Sequence, residues 1–257
     1  MNILVCMKAV PSTGQVQVDG QFKLRRDGAK LEWNIADQAA LEAALQIRGS
    51  GDSVTVITMG PAKLEGNMRE LLARGADEAV LVTDPAFAGS DTYATANILH
   101  AAIQSLGGFD LILCGRRAID GETGQVPPML AGCFNIPCIT NANSISLSEN
   151  TLYAARQLET GLQKLTAPLP ALVSLSEYSY SLRLPGIMGM RRAKSKAIRT
   201  MDLSDLSIDP NDCGLHGSLT KVIAMDAKFP GLRKGPKETD MDSGISATVS
   251  MIREATR

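Results

Sequence analysis

Residues 111–132 read LILCGRRAIDGETGQVPPMLAG, and the layout of the whole chain follows from them. An apolar run ending at Cys114 passes into a polar loop bearing glycines, and an apolar pattern resumes after Pro127 and Pro128. The order is strand, loop, helix. A buried parallel strand feeding a helix is where α/β proteins bind ligands, in the crevice at the carboxyl ends of the strands, so residues 115–126, starting at Gly115, stand at its mouth. Pro127 suits the first helical position, where a missing N–H costs nothing, which leaves Gly121, Glu122, Thr123, Gly124, Gln125 and Val126 to supply open backbone donors. With the Thr123 hydroxyl those amides can cradle a phosphate, and Gly121 and Gly124 can take the positive φ that an anion-binding nest requires. The competing reading is an ordinary connection with two turn glycines.

Working outward, the same texture recurs on both sides. Residues 2–7 read as a first buried strand, and QVQVDGQFKL (residues 15–24) alternates around Asp19-Gly20, a hairpin signal. Asn34 reads as an N-cap for a helix ending near Gly49, residues 54–59 as a second strand, and Gly75 as the stop of the helix that follows it. Residues 79–82 make a third strand, and Ser90 or Asp91 caps a helix leading into the strand that ends at Cys114. Strands alternating with helices of these lengths demand parallel pairing through crossovers. The expected fold is α/β, a doubly wound, mainly parallel, Rossmann-like sheet over residues 1–197. Three βα junctions reach its crevice: residues 7–12, 59–62 and 115–126.

After Pro137 the pattern turns to alternation around Glu149-Asn150 and Thr160-Gly161, which predicts antiparallel strands at the sheet's edge over residues 138–176. The segment RLPGIMGMRRAKSK (residues 183–196) joins apolar residues to a basic run. It reads as a surface helix with a solvated face, or as a docking surface. Residues 198–257 are short of apolar runs and form an extended arm with a terminal helix, packed on its own domain or around a partner.

Composition excludes several classes. With 26 Lys and Arg against 27 Asp and Glu the net charge is -1, so nothing favours nucleic acid. The opening MNILVCMK lacks the leader of a signal peptide and no apolar run has membrane-spanning length, so a cytoplasmic protein without membrane insertion is expected. Five cysteines without CxxC spacing and only two histidines argue against a disulfide framework, a metal site or a His-based triad. Walker A, GxGxxG and nucleophile-elbow sequences are absent. Asp91, Asp120 and Glu122 read as helix caps and loop acids, since no second partner equips them for acid-base work. A nucleotide-sized crevice without a catalytic group points to a binder or carrier.

In combination, NILVCMKAVP, NIADQAALEAAL, TMGPA, ARGADEAVLV, GRRAIDGETGQ, RQLETGLQKLTAPLPALVS and LPGIMGMRRAK resemble the beta subunit of electron-transfer flavoprotein, in family order over nearly the whole chain. The resemblance implies a nucleotide-binding domain whose C-terminal arm embraces an alpha subunit. Its crevice contacts, carried over by position, are Cys6, residues 34–37 with Asn34 and Asp37, Met59 beside Gly60, and residues 120–131 from Asp120 onward. Ordinary members hold AMP here, whereas electron-bifurcating members place a second FAD. The run from Asp120 to Pro128, DGETGQVPP, is similar to the D-G-x-T-x-Q-V-x-P loop of the bifurcating type. DTYATA, with Asp91, Thr92 and Thr95, resembles the DTxAT that adjoins flavin in those members, so FAD is favoured over AMP. Glu122 is a departure, a negative charge in a loop meant for phosphate, and has to point outward.

The resemblance further implies docking to an acyl-CoA dehydrogenase or similar flavoenzyme through Leu184, Pro185, Ile187 and Met188, with Glu177 near the place of a family acid that helps release the mobile flavin domain. A bifurcating heterodimer would take a hydride from NADH and send electrons separately to a high-potential and a low-potential acceptor, the latter a ferredoxin or flavodoxin. Two other classes share this architecture: an ATP-dependent adenylating enzyme, whose SGGxD loop is replaced here by KAVPSTG, and a stress-type nucleotide sensor, against which the long arm counts.

Overall fold

The computed structural model describes residues 1–12, 17–18, 24–25, 30–223 and 240–255. The chain begins with β1 (Asn2–Cys6), followed by β2 (Ala9–Pro11), β3 (Gln17–Val18), β4 (Leu24–Arg25) and β5 (Leu31–Trp33). β3 pairs antiparallel with β4, and β2 with β5. The hairpin expected there exists as paired strands, and its Asp19-Gly20 turn lies outside the described residues.

Next come α1 (Ile35–Ile47), β6 (Ser53–Met59), α2 (Glu65–Arg74), β7 (Glu78–Val82), α3 (Thr92–Ser105), β8 (Leu111–Gly115), α4 (Val126–Phe134) and β9 (Cys138–Ala142). They are followed by β10 (Ser144–Ser148), β11 (Thr151–Leu158), β12 (Gly161–Pro168), β13 (Ala171–Leu175), α5 (Ile187–Ser195) and β14 (Arg199–Met201). α6 (Gly214–Gly217) and α7 (Met241–Ala255) complete the chain. Seven strands form one sheet in the order β14-β7-β6-β1-β8-β13-β9, and every pairing in it is parallel.

Period-two alternation explains the layering. Ile3, Val5, Leu111 and Leu113 face the layer of α1 and α2, while Leu4, Ile112 and Cys114 face that of α3 and α4. The inner strands are thus buried on both faces, as a parallel sheet requires, while the edge strands β14 and β9 are partly exposed. α1 is the most enclosed helix, and Ala36, Ala39, Ala40, Ala43 and Ala44 let it lie close to the sheet.

Two expectations need correction. The antiparallel strands do not extend the sheet's edge: β10, β11 and β12 form a separate three-stranded sheet whose Ile145, Leu152, Ala154 and Ala167 join the core around α1. α1 is buried over most of its length, so it needs cover away from the main sheet, and this second sheet supplies it. β9 and β13, placed in that antiparallel region by the sequence, instead pair parallel to each other, with β13 inside the sheet. The arm also begins later than residue 198. β14 pairs with β7, and Met201, Leu206 and Cys213 are buried in the α3–α4 core. Beyond them Leu219, Val222 and Ile223, and Met241, Ile245 and Ile252 on α7, are exposed. No described helix is long and apolar enough to cross a membrane.

Candidate functional site

The sheet order makes its own crevice. From β1 the chain moves outward to β6 and β7, then returns through α3 to β8 on the other side of β1, so the loops after β1 and β8 diverge.

Asp37 holds these two strand ends. Its Oδ2 accepts the Lys8 amide at 2.7 Å and its Oδ1 accepts the Gly115 amide at 3.0 Å. Burial pushes the carboxyl up to about 7, against the lowering effect of Asn34 and the two amides. Asn34 has the N-cap position of α1, yet its side chain makes no cap bond. It donates instead to the Arg117 carbonyl at 2.9 Å and accepts the Ile119 amide at 3.2 Å. The side chains of Asn34 and Asp37, expected as ligand contacts, therefore shape the crevice through its backbone. Cys6 lies at the end of β1 beside the buried Cys114, and a hydrogen bond with Cys6 and then burial raise the Cys114 thiol well above its ordinary value. Gly60 donates its amide to Val82 at 3.0 Å, with the half-buried Met59 packed on the α3–α4 core.

The loop before α4 differs in detail from the reading above. α4 begins at Val126, so Pro127 is its second residue. Positive φ falls on Glu122 (51°) and Gly124 (62°) rather than on Gly121. The Glu122 amide donates to the Ala118 carbonyl at 2.8 Å, which closes one turn of chain and drives its last residue left-handed. Among the described residues, no acceptor takes the amides of Gly121, Thr123, Gly124, Gln125 or Val126.

The acids around this loop each have a cation. Asp120 accepts from Lys8 Nζ at 2.7 Å. Glu122, an exposed side chain, is turned to Arg117 at 3.6 Å, the outward course that a phosphate loop needs. Glu177 receives Arg117 Nε at 3.0 Å and Arg116 Nη2 at 3.2 Å. Arg116 Nε also lies 3.2 Å from Glu177 Oε2, but at an angle that makes no hydrogen bond. Burial acts first against the Glu177 charge, and its own amide and the guanidiniums outweigh it, holding the carboxyl below its ordinary value. Glu177 thus belongs to the crevice mouth. Sequence reasoning placed Lys8, Arg116 and Arg117 within the crevice junctions but gave them no role, although the pairing of Gly115 with Leu175 brings the residues after those two strands together.

At the neighbouring helix start, Asp91 Oδ1 caps α3 by accepting the Ala94 amide at 3.0 Å, and Oδ2 accepts the Thr220 amide at 2.8 Å. Burial opposes the Asp91 charge first, yet these amides prevail and its carboxyl lies below the ordinary range. Both oxygens thus accept from the protein's own amides. Thr92 donates to Gln125 Oε1 at 3.0 Å and so ties α3 to the loop before α4, with Thr95 one turn further along the same face.

An Electron transfer flavoprotein domain matches residues 21–206. The chain belongs to the electron transfer flavoprotein family, as a beta subunit. It is 43% identical over 227 residues to an electron transfer flavoprotein subunit beta of Thermoanaerobacterium thermosaccharolyticum, 87% of each chain. It is 38% identical over 261 residues to the caffeyl-CoA reductase-Etf complex subunit CarD of Acetobacterium woodii, covering 99% of this chain and 98% of the relative. An acryloyl-CoA reductase electron transfer subunit gamma of Anaerotignum propionicum is 37% identical over 232 residues, 87% of each chain. Electron transfer flavoproteins carry electrons, with the redox chemistry supplied by flavin.

One prediction arises from the charge pairs. Glu177→Gln removes the acid shared by Arg116 and Arg117, so AMP should bind roughly threefold more tightly at low salt, with the gain fading as salt is raised. Calorimetric titration of AMP at two ionic strengths checks it.

Proposed function

We propose that this electron transfer flavoprotein beta subunit holds FAD, in preference to AMP, with its phosphates on the open amides of Gly121, Thr123, Gly124, Gln125 and Val126. The observation that carries this reading is the loop itself: five of its six amides are open, the Glu122 amide being bonded to Ala118, and its one misplaced charge, Glu122, is drawn off to Arg117. Thr92 and Thr95 lie where the crevice extends past the phosphates, on the helix start tied to Gln125. FAD, when bound, supplies both two-electron and one-electron redox chemistry. The chain's own residues fix the crevice (Asp37, Asn34), neutralise its acids (Lys8, Arg117) and keep the loop against α3 (Thr92).

The same reading gives the exposed apolar residues of the arm to an alpha subunit. It gives Leu184, Ile187 and Met188 to an apolar pocket of an acyl-CoA dehydrogenase or similar flavoenzyme, in keeping with relatives named as parts of CoA-thioester reductases. NADH would be the donor and a ferredoxin or flavodoxin the low-potential acceptor of a bifurcating pair.

The test is purification with the alpha subunit, a visible spectrum, and chromatography of the nucleotides released on denaturation. Two FAD per heterodimer are expected. One FAD with one AMP would return the site to the ordinary type, and a colourless protein that consumes ATP would favour an adenylating enzyme.

A further inference from the structure

The segment that carries Leu184 is seated on α1 and α2 with unusual thoroughness. Glu42, a buried acid on α1, accepts the Arg183 amide at 3.1 Å, its Nε at 2.9 Å and its Nη2 at 2.8 Å. Gln46 adds a further bond to Glu42 at 3.0 Å. Arg74 on α2 donates to the Arg183 carbonyl, and Arg69 donates to the carbonyls of Ala193 and Lys196 at 3.2 Å each. Gly189 lets α5 lie directly on α2: a Cβ there would stand 2.2 Å from the Ala73 carbonyl oxygen.

On this fixed backbone the apolar side chains face water. Leu184 is 83% exposed, Ile187 75% and Met188 64%. A surface segment with no further role has no need of a buried carboxylate, which is costly unless fully paired. A docking segment does, because side chains ordered before the encounter lose less freedom during it. Exposed Arg191, Arg192 and Lys194 flank the apolar group, so the fitting partner surface is an apolar pocket with an acidic rim.

We propose that Glu42 is a positioning residue for partner docking: through Arg183 it fixes the backbone that presents Leu184, Ile187 and Met188 to a flavoenzyme acting on CoA thioesters. The proposal rests on the docking assignment made above, and the experiment separates the two. The αβ heterodimer is assayed as electron acceptor of a purified short-chain acyl-CoA dehydrogenase, with KM and kcat for the heterodimer measured separately. Glu42→Gln keeps the shape but loses the charge, and Arg183→Lys keeps the charge but loses the two-pronged geometry. Both should raise KM about fivefold to twentyfold with kcat and bound nucleotide unchanged.

Leu184→Ala is the control for docking. If it leaves KM unaltered, the docking assignment itself is wrong. If it raises KM while Glu42→Gln and Arg183→Lys do not, the positioning role is overturned. A change wholly accounted for by lost nucleotide or lowered thermal stability assigns Glu42 to the core alone and overturns the role too. Should Glu42→Gln fail to fold, Arg183→Lys decides, since the Arg183 side chain is 42% exposed.

Discussion

Gly115→Ala is expected to destabilise the domain by roughly 3 kcal/mol and to strip the crevice of its nucleotide. The added Cβ would lie 2.2 Å from Asp37 Oδ1 and 2.7 Å from the backbone of Ala36 and Asp37. Two of those three contacts are to the first turn of α1, which a side-chain rotation cannot relieve. Separation of β8 from α1 would also break the bond from the Gly115 amide to Asp37 and leave a buried carboxylate short of a donor. Urea unfolding and nucleotide content of the purified heterodimer check the prediction. Gly121→Ala is the matched control. A Cβ there meets nothing within 4 Å and the residue has no positive φ, so stability should change by less than about 0.5 kcal/mol.

Asp37→Asn is expected to remove a pH dependence that the wild-type chain possesses. In the folded chain the carboxyl is raised from 3.8 to about 7 by burial. Between those values the unfolded chain has released its proton and the folded chain has not, so ionisation favours unfolding and Asp37 lowers stability as pH rises. The loss is complete above about pH 7 and reaches on the order of 4 kcal/mol. Nucleotide binding should move the opposite way. The ionised carboxylate accepts the Lys8 and Gly115 amides more strongly than the protonated acid, whose hydroxyl oxygen is the poorer acceptor. Affinity for AMP should therefore rise through about pH 7 in the wild type, while the Asp37→Asn protein binds more weakly, by about tenfold at pH 8, and keeps only the rise that the second ionisation of the AMP phosphate, at about pH 6, imposes on both proteins. Stability and affinity measured from pH 5 to 8 on both proteins decide it. Parallel profiles would show that Asp37 does not set the crevice.

What the sequence disclosed and what it hid have a common physical origin. Local signals held to within a residue: the cap read at Ser90 or Asp91 is Asp91, the stop is at Gly75, and the strands read at residues 2–7 and 54–59 are Asn2–Cys6 and Ser53–Met59, each set by a few neighbouring residues. The position of the crevice followed too, because parallel strands joined by helices leave few places for it. The errors were of register and of distance. Pro127 as second rather than first residue of α4, and Glu122 rather than Gly121 at positive φ, are one-residue shifts, the second of them accompanying the Glu122 bond to Ala118. Asn34 and Asp37 were legible as residues of the site but not in their role. The groups they bind, around Arg117 and Gly115, lie some eighty residues away, and no local spacing encodes that. The Lys8–Asp120 and Arg117–Glu177 pairs were hidden for the same reason. The second sheet over α1 was hidden as well, because strand pairing among residues 144–168 does not encode which helix the sheet will cover.

The most direct measurement is a crystal structure of the heterodimer as purified with its alpha subunit, read at the turn before α4. Phosphate oxygens should lie within hydrogen-bonding distance of the amides of Thr123, Gly124, Gln125 and Val126, with Glu122 still turned to Arg117. A nucleotide seated elsewhere, with those amides bonded to acceptors of the protein itself, would contradict the assignment.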